Sequence, residues 1–217
     1  MPTRYGRQTG IINIEKFSDN EIMIVGCGAI GSFVGIALAK MGLTNFKIYD
    51  GDRVEEHNFP NQFFTEEDLG KFKAIALKQH MVAFNSKCEI FVGLKFDKDS
   101  RADFPIVISC VDKMSVRKMI FESAVKEEAC QLFIDCRMAG LQGQVYSVDM
   151  TKEEEIENYK KSLFTDRQAV RMRCTERSIV FTVLGTASLV CNQIVKALKE
   201  EELSNYIVLD YSVPQMM

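Results

Sequence analysis

Residues 24 to 52 run IVGCGAIGSFVGIALAKMGLTNFKIYDGD, and the order of elements in this stretch sets the fold. Ile22–Val25 is a short apolar run that stops at a glycine, which predicts a buried strand. Gly26-x-Gly28-x-x-Gly31 follows. Small and apolar residues then recur at helical spacing (Ile30, Val34, Ala37, Leu38, Met41) and end at Gly42, which predicts a helix. Phe46–Tyr49 is a second strand, closed by Asp50. A glycine turn between strand and helix lets the backbone approach phosphates, and the helix N-terminus favours their charge. An acid at the end of the next strand accepts hydrogen bonds from ribose hydroxyls. The plain alternative is a tight turn without a ligand; the agreement of strand, turn, helix and acid argues against it.

The rest of the chain continues the pattern. A helix is expected over Lys71–Phe84, and strands at Val92–Phe96, Ile106–Val111, Leu132–Asp135 and Gln144–Val148. A helix capped by Ser115 runs to about Glu128, and Thr65-Glu-Glu-Asp is a turn or short cap. The charged, poorly periodic segment from about 151 to 178 reads as a mobile crossover. A helix near Val183–Lys199 and a strand at Ile207–Leu209 close the chain. The expected architecture is a single α/β domain over 1–217: a Rossmann-like, mostly parallel sheet, helices on both faces, and antiparallel strands on the C-terminal side.

Composition narrows the classes. With 47% apolar residues among 217, the chain can bury a full core. The net charge of −3 and the lack of a basic block do not suggest a phosphate-backbone binder, so no nucleic-acid partner is expected. Seven cysteines without a C-x-x-C pair argue against a zinc knuckle or disulfide framework and for reduced thiols in the cytoplasm. The N-terminal MPTRYGRQTG has no apolar core for a signal peptide, and the apolar run Ile179–Leu198 carries too many polar residues to predict a membrane span.

The glycine turn with Asp50 suits a nicotinamide enzyme as well as an ATP enzyme; the residues downstream separate them. Residues 50 to 62, DGDRVEEHNFPNQ, are more than a dehydrogenase needs. Nucleotidyl transfer requires a metal-binding acid, polar groups for the triphosphate and cations to offset charge on pyrophosphate. Asp52, Asn58, Gln62 and Lys73 are such groups, and Asp112 follows an apolar strand, where ligands sit in open α/β sheets. Lys73 and Arg117 as surface charges, and Asp112 as a helix N-cap, are the plain alternatives.

At this point the sequence resembles the ThiF/MoeB/HesA family, the adenylating domain of ubiquitin-activating enzymes. Six ordered pieces carry the resemblance: R-Y-x-R-Q at Arg4–Gln8, the glycine turn, D-x-D-x-V at Asp50–Val54 followed by Asn58, G-x-x-K at Gly70–Lys73 followed by Asn85, C-x-D-x-x-x-x-R from Cys110 to Arg117, and G-x-x-G-Q at Gly140–Gln144. The resemblance implies ATP- and magnesium-dependent adenylation of the C-terminal carboxylate of a ubiquitin-like or sulfur-carrier protein, in a homodimer or a heterodimer with a related subunit. It implies a nucleotide cradle of Gly26, Gly28, Ala29, Ile30 and Gly31, Asp50 on the ribose, Asp52 and Gln62 nearby, and Asn58 and Lys73 on the triphosphate. It places Val111 beside the nucleotide, Asp112 on magnesium, and Arg7 reaching the γ-phosphate of the partner's site.

The pattern departs at one point. The family's N-L-x-R-Q is Asn58-Phe59-Pro60-Asn61-Gln62 here, so Asn61 stands where the catalytic arginine belongs. Either another cation such as Arg53 or Lys71 substitutes, or the chain is a catalytically weak ATP-binding subunit of a heteromeric enzyme. An NAD-dependent oxidoreductase is the further alternative. Cys174 occupies the region where the family often carries a cysteine that accepts the activated carboxyl; Arg171, Arg173 and Arg177 flank it, and neighbouring cations favour the thiolate. A surface cysteine in a loop is the plain reading. Cys27, Cys110, Cys136 and Cys191 read as core, His57 as an exposed loop residue and His80 as structural.

Overall fold

The computed structural model describes residues 4–165 and 179–213. Seven strands form one sheet in the order β3-β2-β1-β4-β5-β6-β7. They are β1 (Glu21–Val25), β2 (Asn45–Tyr49), β3 (Glu89–Gly93), β4 (Ile106–Ser109), β5 (Leu132–Ala139), β6 (Gln142–Asp149) and β7 (Tyr206–Asp210). The first five strands in that order pair in parallel, and β6 and β7 add antiparallel pairs. The helices are α1 (Ile14–Ser18), α2 (Ala29–Met41), α3 (Lys73–Phe84), α4 (Met114–Lys126), α5 (Glu153–Lys161) and α6 (Val180–Leu198).

Two apolar clusters flank the sheet. One packs α2, α3 and α6 against alternate residues of the central strands, including Ile24, Ile48, Ile108 and Ile134. The other packs α4 and α5 against the opposite residues, including Met23, Val107 and Phe133. Central strands buried on both faces explain their continuously apolar sequence. Helix α2 ends as the sequence predicts: Gly42 takes φ 113°, and its N–H bonds Leu38 and Ala39 carbonyls.

Several expectations shift. Strand β3 lies at Glu89–Gly93, three residues before the expected Val92–Phe96; it is the sheet edge, where Phe91 is exposed and the apolar signal weakens. Helix α4 starts at Met114 after Lys113, without a side-chain cap, so neither Ser115 nor Asp112 is its N-cap. The expected loop after 151 contains a helix instead. Glu153, Glu154 and Glu155 fill the first turn of α5 and Lys160 and Lys161 the last, which complements the helix dipole. Its single buried side chain, Tyr159, packs on Phe121 and Phe133. By length and composition alone helix α6 would pass for a membrane span. In this fold it packs on α2, β5 and β6, with Thr182, Thr186 and Gln193 buried.

Candidate active site

After β2 and β3 the chain crosses to the other side of β1 to form β4, so the strand order reverses between β1 and β4. Ligands of open α/β sheets bind outside the strand ends at such a point. The turns leaving the strands are tied together there: Gly26 N–H donates to Tyr49 O (2.8 Å) and Cys110 N–H to Val25 O (2.8 Å). The three glycines have different reasons. Gly26 has φ 96°, and a Cβ on it would lie 2.6 Å from Cys110 O; one on Gly31 would lie 1.9 Å from Gly26 O. Both glycines are demanded by the protein's own backbone. A Cβ on Gly28 would meet nothing within 4 Å. That glycine leaves open space before Ala29 and Ile30, where α2 starts with no side-chain cap.

Asp50 closes the turn from the other side. Its carboxylate accepts from Cys27 N–H and from Asp52 N–H, each at 2.8 Å. Burial pushes its pKa up from the ordinary range, while the two amides and Lys73 pull it down. Lys73 opens α3, only 8% exposed, so the surface-charge reading of this residue is wrong. Its N–H donates to Asp52 O (2.8 Å), and its ammonium lies 3.5 Å from the carboxylate of Asp52, an exposed side chain. Its charge also acts on Cys27 and Asp50.

The segment 54–72 joins β2 to α3 and is tied to α2, where Phe63 N–H donates to Ser32 Oγ (3.0 Å). Asn58 is buried in a 3₁₀ turn and its Oδ1 accepts Glu55 N–H (3.0 Å). Asn61 is half-buried in the next turn, its N–H bonded to Asn58 O. The Gln62 Oε1 is sealed from solvent with no hydrogen-bond partner among the described residues. Both expected substitutes for the missing arginine are engaged elsewhere. Lys71 bonds Asp68 (3.0 Å) and Gln79 (3.2 Å). Arg53 bonds Gly70 O (2.6 Å) and stacks on the Phe72 ring (4.0 Å). His80 is structural as expected, 2.6 Å from Asp68, and His57 is exposed.

On the β4 side, Val111 is half-buried and Asp112 exposed. Arg117 is buried and donates to Val111 O and Cys136 O, which corrects its reading as a surface charge. It pairs with Asp135, which also holds Arg137. This trio was not foreseen; the signal was two charges, Asp135 and Arg137, two residues apart in a strand that otherwise reads as core.

Arg7 is exposed and remote from the crevice of its own chain. Its segment lies against the far end of α2, where Gln8 donates to Met41 O, Arg4 to Phe84 O, and the Tyr5 ring covers Gly42. A 13-residue helix puts that end about 20 Å from the glycine turn. Cys174 lies outside the described residues. Burial pushes the Cys191 thiol up to about 12 and that of Cys27 well above its usual range. Cys136 is likewise raised, through its hydrogen bond with Cys110 and through burial. None of these three is a ready nucleophile.

Comparison with known proteins identifies the family and the fold. The model of the ThiF family matches residues 5–216. The chain belongs to the ThiF family. An Escherichia coli (strain K12) relative, a sulfur carrier protein ThiS adenylyltransferase, is 26% identical over 90% of this chain and 80% of its own. A ubiquitin-like modifier-activating enzyme 5 from Oryza sativa subsp. japonica is 27% identical over 62% of this chain, which spans only 39% of that enzyme. The crystal structure of Escherichia coli MccB with ATP shares the fold at a TM-score of 0.78 and 19% identity, covering 97% of this ThiF-family chain and 69% of that one.

Proposed function

We propose that this ThiF-family chain is an ATP-dependent adenylyltransferase that activates the C-terminal carboxylate of a ubiquitin-like or sulfur-carrier protein. The observation that carries the reading is Lys73. A buried ammonium at a helix N-terminus opposes the helix dipole and loses hydration, so it weakens the apo fold. It faces the glycine turn, and the phosphates of ATP would relieve both costs. The adenylyltransferase relative and the family match support the reaction class. A dinucleotide oxidoreductase gives Lys73 no task.

In the proposed reaction a carboxylate oxygen of the carrier attacks the α-phosphorus. An acyl–oxygen–phosphorus bond forms, the bond to the β-phosphate oxygen breaks, and pyrophosphate leaves with the electron pair. Lys73 offsets the repulsion between the two anions and the charge developing on pyrophosphate. Gly28 and the start of α2 hold phosphate, and Asp50 holds ribose through lone pairs its two amide bonds leave over. Magnesium fits as the accompanying ion: the exposed hard-oxygen ligand Asp112 beside the triphosphate space suits an ion that keeps water and phosphate oxygens. When bound it supplies further charge neutralisation on the phosphates. We place Arg7 in the site of a second subunit, because it is remote from its own. A cytoplasmic setting goes with the free thiols at Cys27, Cys88, Cys110, Cys130, Cys136 and Cys191. The Cys174 thiolate then attacks the acyl carbon of the adenylate, a thioester forms, the acyl–oxygen bond breaks and AMP leaves with the electron pair.

One observation favours a second reading. With Lys71 and Arg53 engaged elsewhere, Asn61 leaves the site one cation short of the family pattern, as a weak subunit of a heteromeric enzyme would be. Carrier-dependent ATP–pyrophosphate exchange separates the two: exchange by this chain alone supports the first, and exchange only after a related subunit is added supports the second. No exchange in either case, with the cognate carrier present, overturns both.

A further inference from the structure

Asp135 is fully buried and has no task in the proposed reaction. In the parallel pairing it lies level with Ser109, just before the Cys110–Asp112 turn. Its two oxygens hold two arginines from different elements: Oδ1 pairs with Arg117 of α4, and Oδ2 with Nε of Arg137 at 2.8 Å. Arg117 continues to the carbonyl of Val111 and, at 3.0 Å, to that of Cys136. Arg137 continues to Ser162 just after α5, bonding its O at 3.0 Å and its Oγ at 2.9 Å, and lies 4.3 Å over the Tyr146 ring.

Such a buried network is poorly explained by stability, since apolar residues of similar volume usually do as well or better. What it accomplishes is geometric. The Val111 carbonyl is the last backbone group before Asp112, and Arg117 grips it from beneath. Resting on the reading of Asp112 as the magnesium-side residue, we propose that Asp135 is a positioning residue for adenylyl transfer. Its carboxylate orients Arg117, which fixes the Val111 carbonyl and so the Asp112 side chain one residue on. Arg137, anchored at Ser162, keeps that carboxylate aimed. Partners that orient a metal ligand are worth about ten- to hundredfold in metal affinity in comparable sites.

The test is ATP titration of the full chain, once in MgCl2 and once in EDTA, on wild type, Asp112→Ala, Asp135→Asn and Arg137→Gln, with thermal unfolding of each. The wild type is expected to bind ATP more tightly with magnesium, and Asp112→Ala to lose that gain. Asp135→Asn should lose about tenfold of the gain while its affinity in EDTA stays at the wild-type value. Arg137→Gln, which leaves the Asp135–Arg117 pair in place, should lose a smaller part and carries the test if Asp135→Asn does not fold. A wild-type magnesium gain in whichever of these variants folds overturns the proposal. Equal weakening with and without magnesium also overturns it and leaves Asp135 a core residue. A wild type with no magnesium gain overturns the adenylation reading itself, and this proposal with it.

Discussion

Lys73 and the glycines make opposite demands at the residue scale, and both can be measured. Removing the Lys73 ammonium should weaken ATP·Mg binding by about 1.5–3 kcal/mol, the range for hydrogen bonds to charged groups. The same Lys73→Ala change should leave thermal stability without nucleotide unchanged or higher, because the apo protein keeps a cation at an unfavourable helix end. An apo melting temperature several degrees lower would assign Lys73 to the Asp52 ion pair alone. Gly28→Ala and Gly31→Ala form a matched pair. A methyl on Gly31 runs into Gly26 O and should destabilise by about 2–4 kcal/mol, through strain or overpacking. One on Gly28 has room, so stability should move by less than about 1 kcal/mol while ATP affinity drops. Equal ATP affinity in Gly28→Ala and wild type would mean that phosphate does not approach this turn. The sequence pattern marked both glycines alike; only the backbone geometry tells them apart.

At the scale of elements, the segment 54–72 hangs on Asp68, a buried carboxylate that holds His80, Lys71 and Thr65. Burial alone would raise its pKa; hydrogen bonds from His80, Thr65 and Lys71 outweigh that and bring it down to about 2 from 3.8. A folded pKa below the unfolded one means that the ionised form favours the fold. The contribution, ~2 kcal/mol, is therefore present above about pH 4 and is lost as the pH falls towards 2. Urea midpoints of wild type and Asp68→Asn should differ at pH 7 and converge near pH 2. A gap that persists at pH 2 would show that the charge of Asp68 is not what holds the segment. The elements that the sequence disclosed and those it hid divide on physical grounds. Strands β1 and β4 were legible because burial on both faces leaves a nearly unbroken apolar run. Helix α5 was hidden because only Tyr159 of its nine residues is buried, so no apolar stripe marks it. Glycine turn, Asp50 and Lys73 were legible as a site because each chemistry-bearing residue sits at a fixed distance from the turn. Asp135 and Arg137 were not, since their partners, Arg117 and Ser162, are distant in sequence and meet only through the sheet.

For the whole molecule, the placement of Arg7 carries the strongest consequence. Its segment lies at the end of α2 opposite the glycine turn, so on the proposed reading Arg7 acts on another subunit. If that subunit is a second copy, a twofold arrangement exchanges the arginines reciprocally. Arg7→Ala and Asp112→Ala chains should then each lack tight ATP·Mg sites when purified alone. Mixed in equal amounts and allowed to exchange subunits, half of the dimers contain one chain of each kind. In such a dimer the Arg7→Ala chain keeps a complete Asp112 site and receives the intact Arg7 of the other chain, while the second site lacks both groups. About a quarter of the wild-type number of tight sites should therefore reappear on mixing. Recovery of that size, counted by ATP·Mg titration, would establish both the homodimer and the reach of Arg7 across it. Mixing without recovery would exclude a second copy as the recipient of Arg7. The question raised by Asn61 would then turn to a related subunit, one whose site receives Arg7 from this chain.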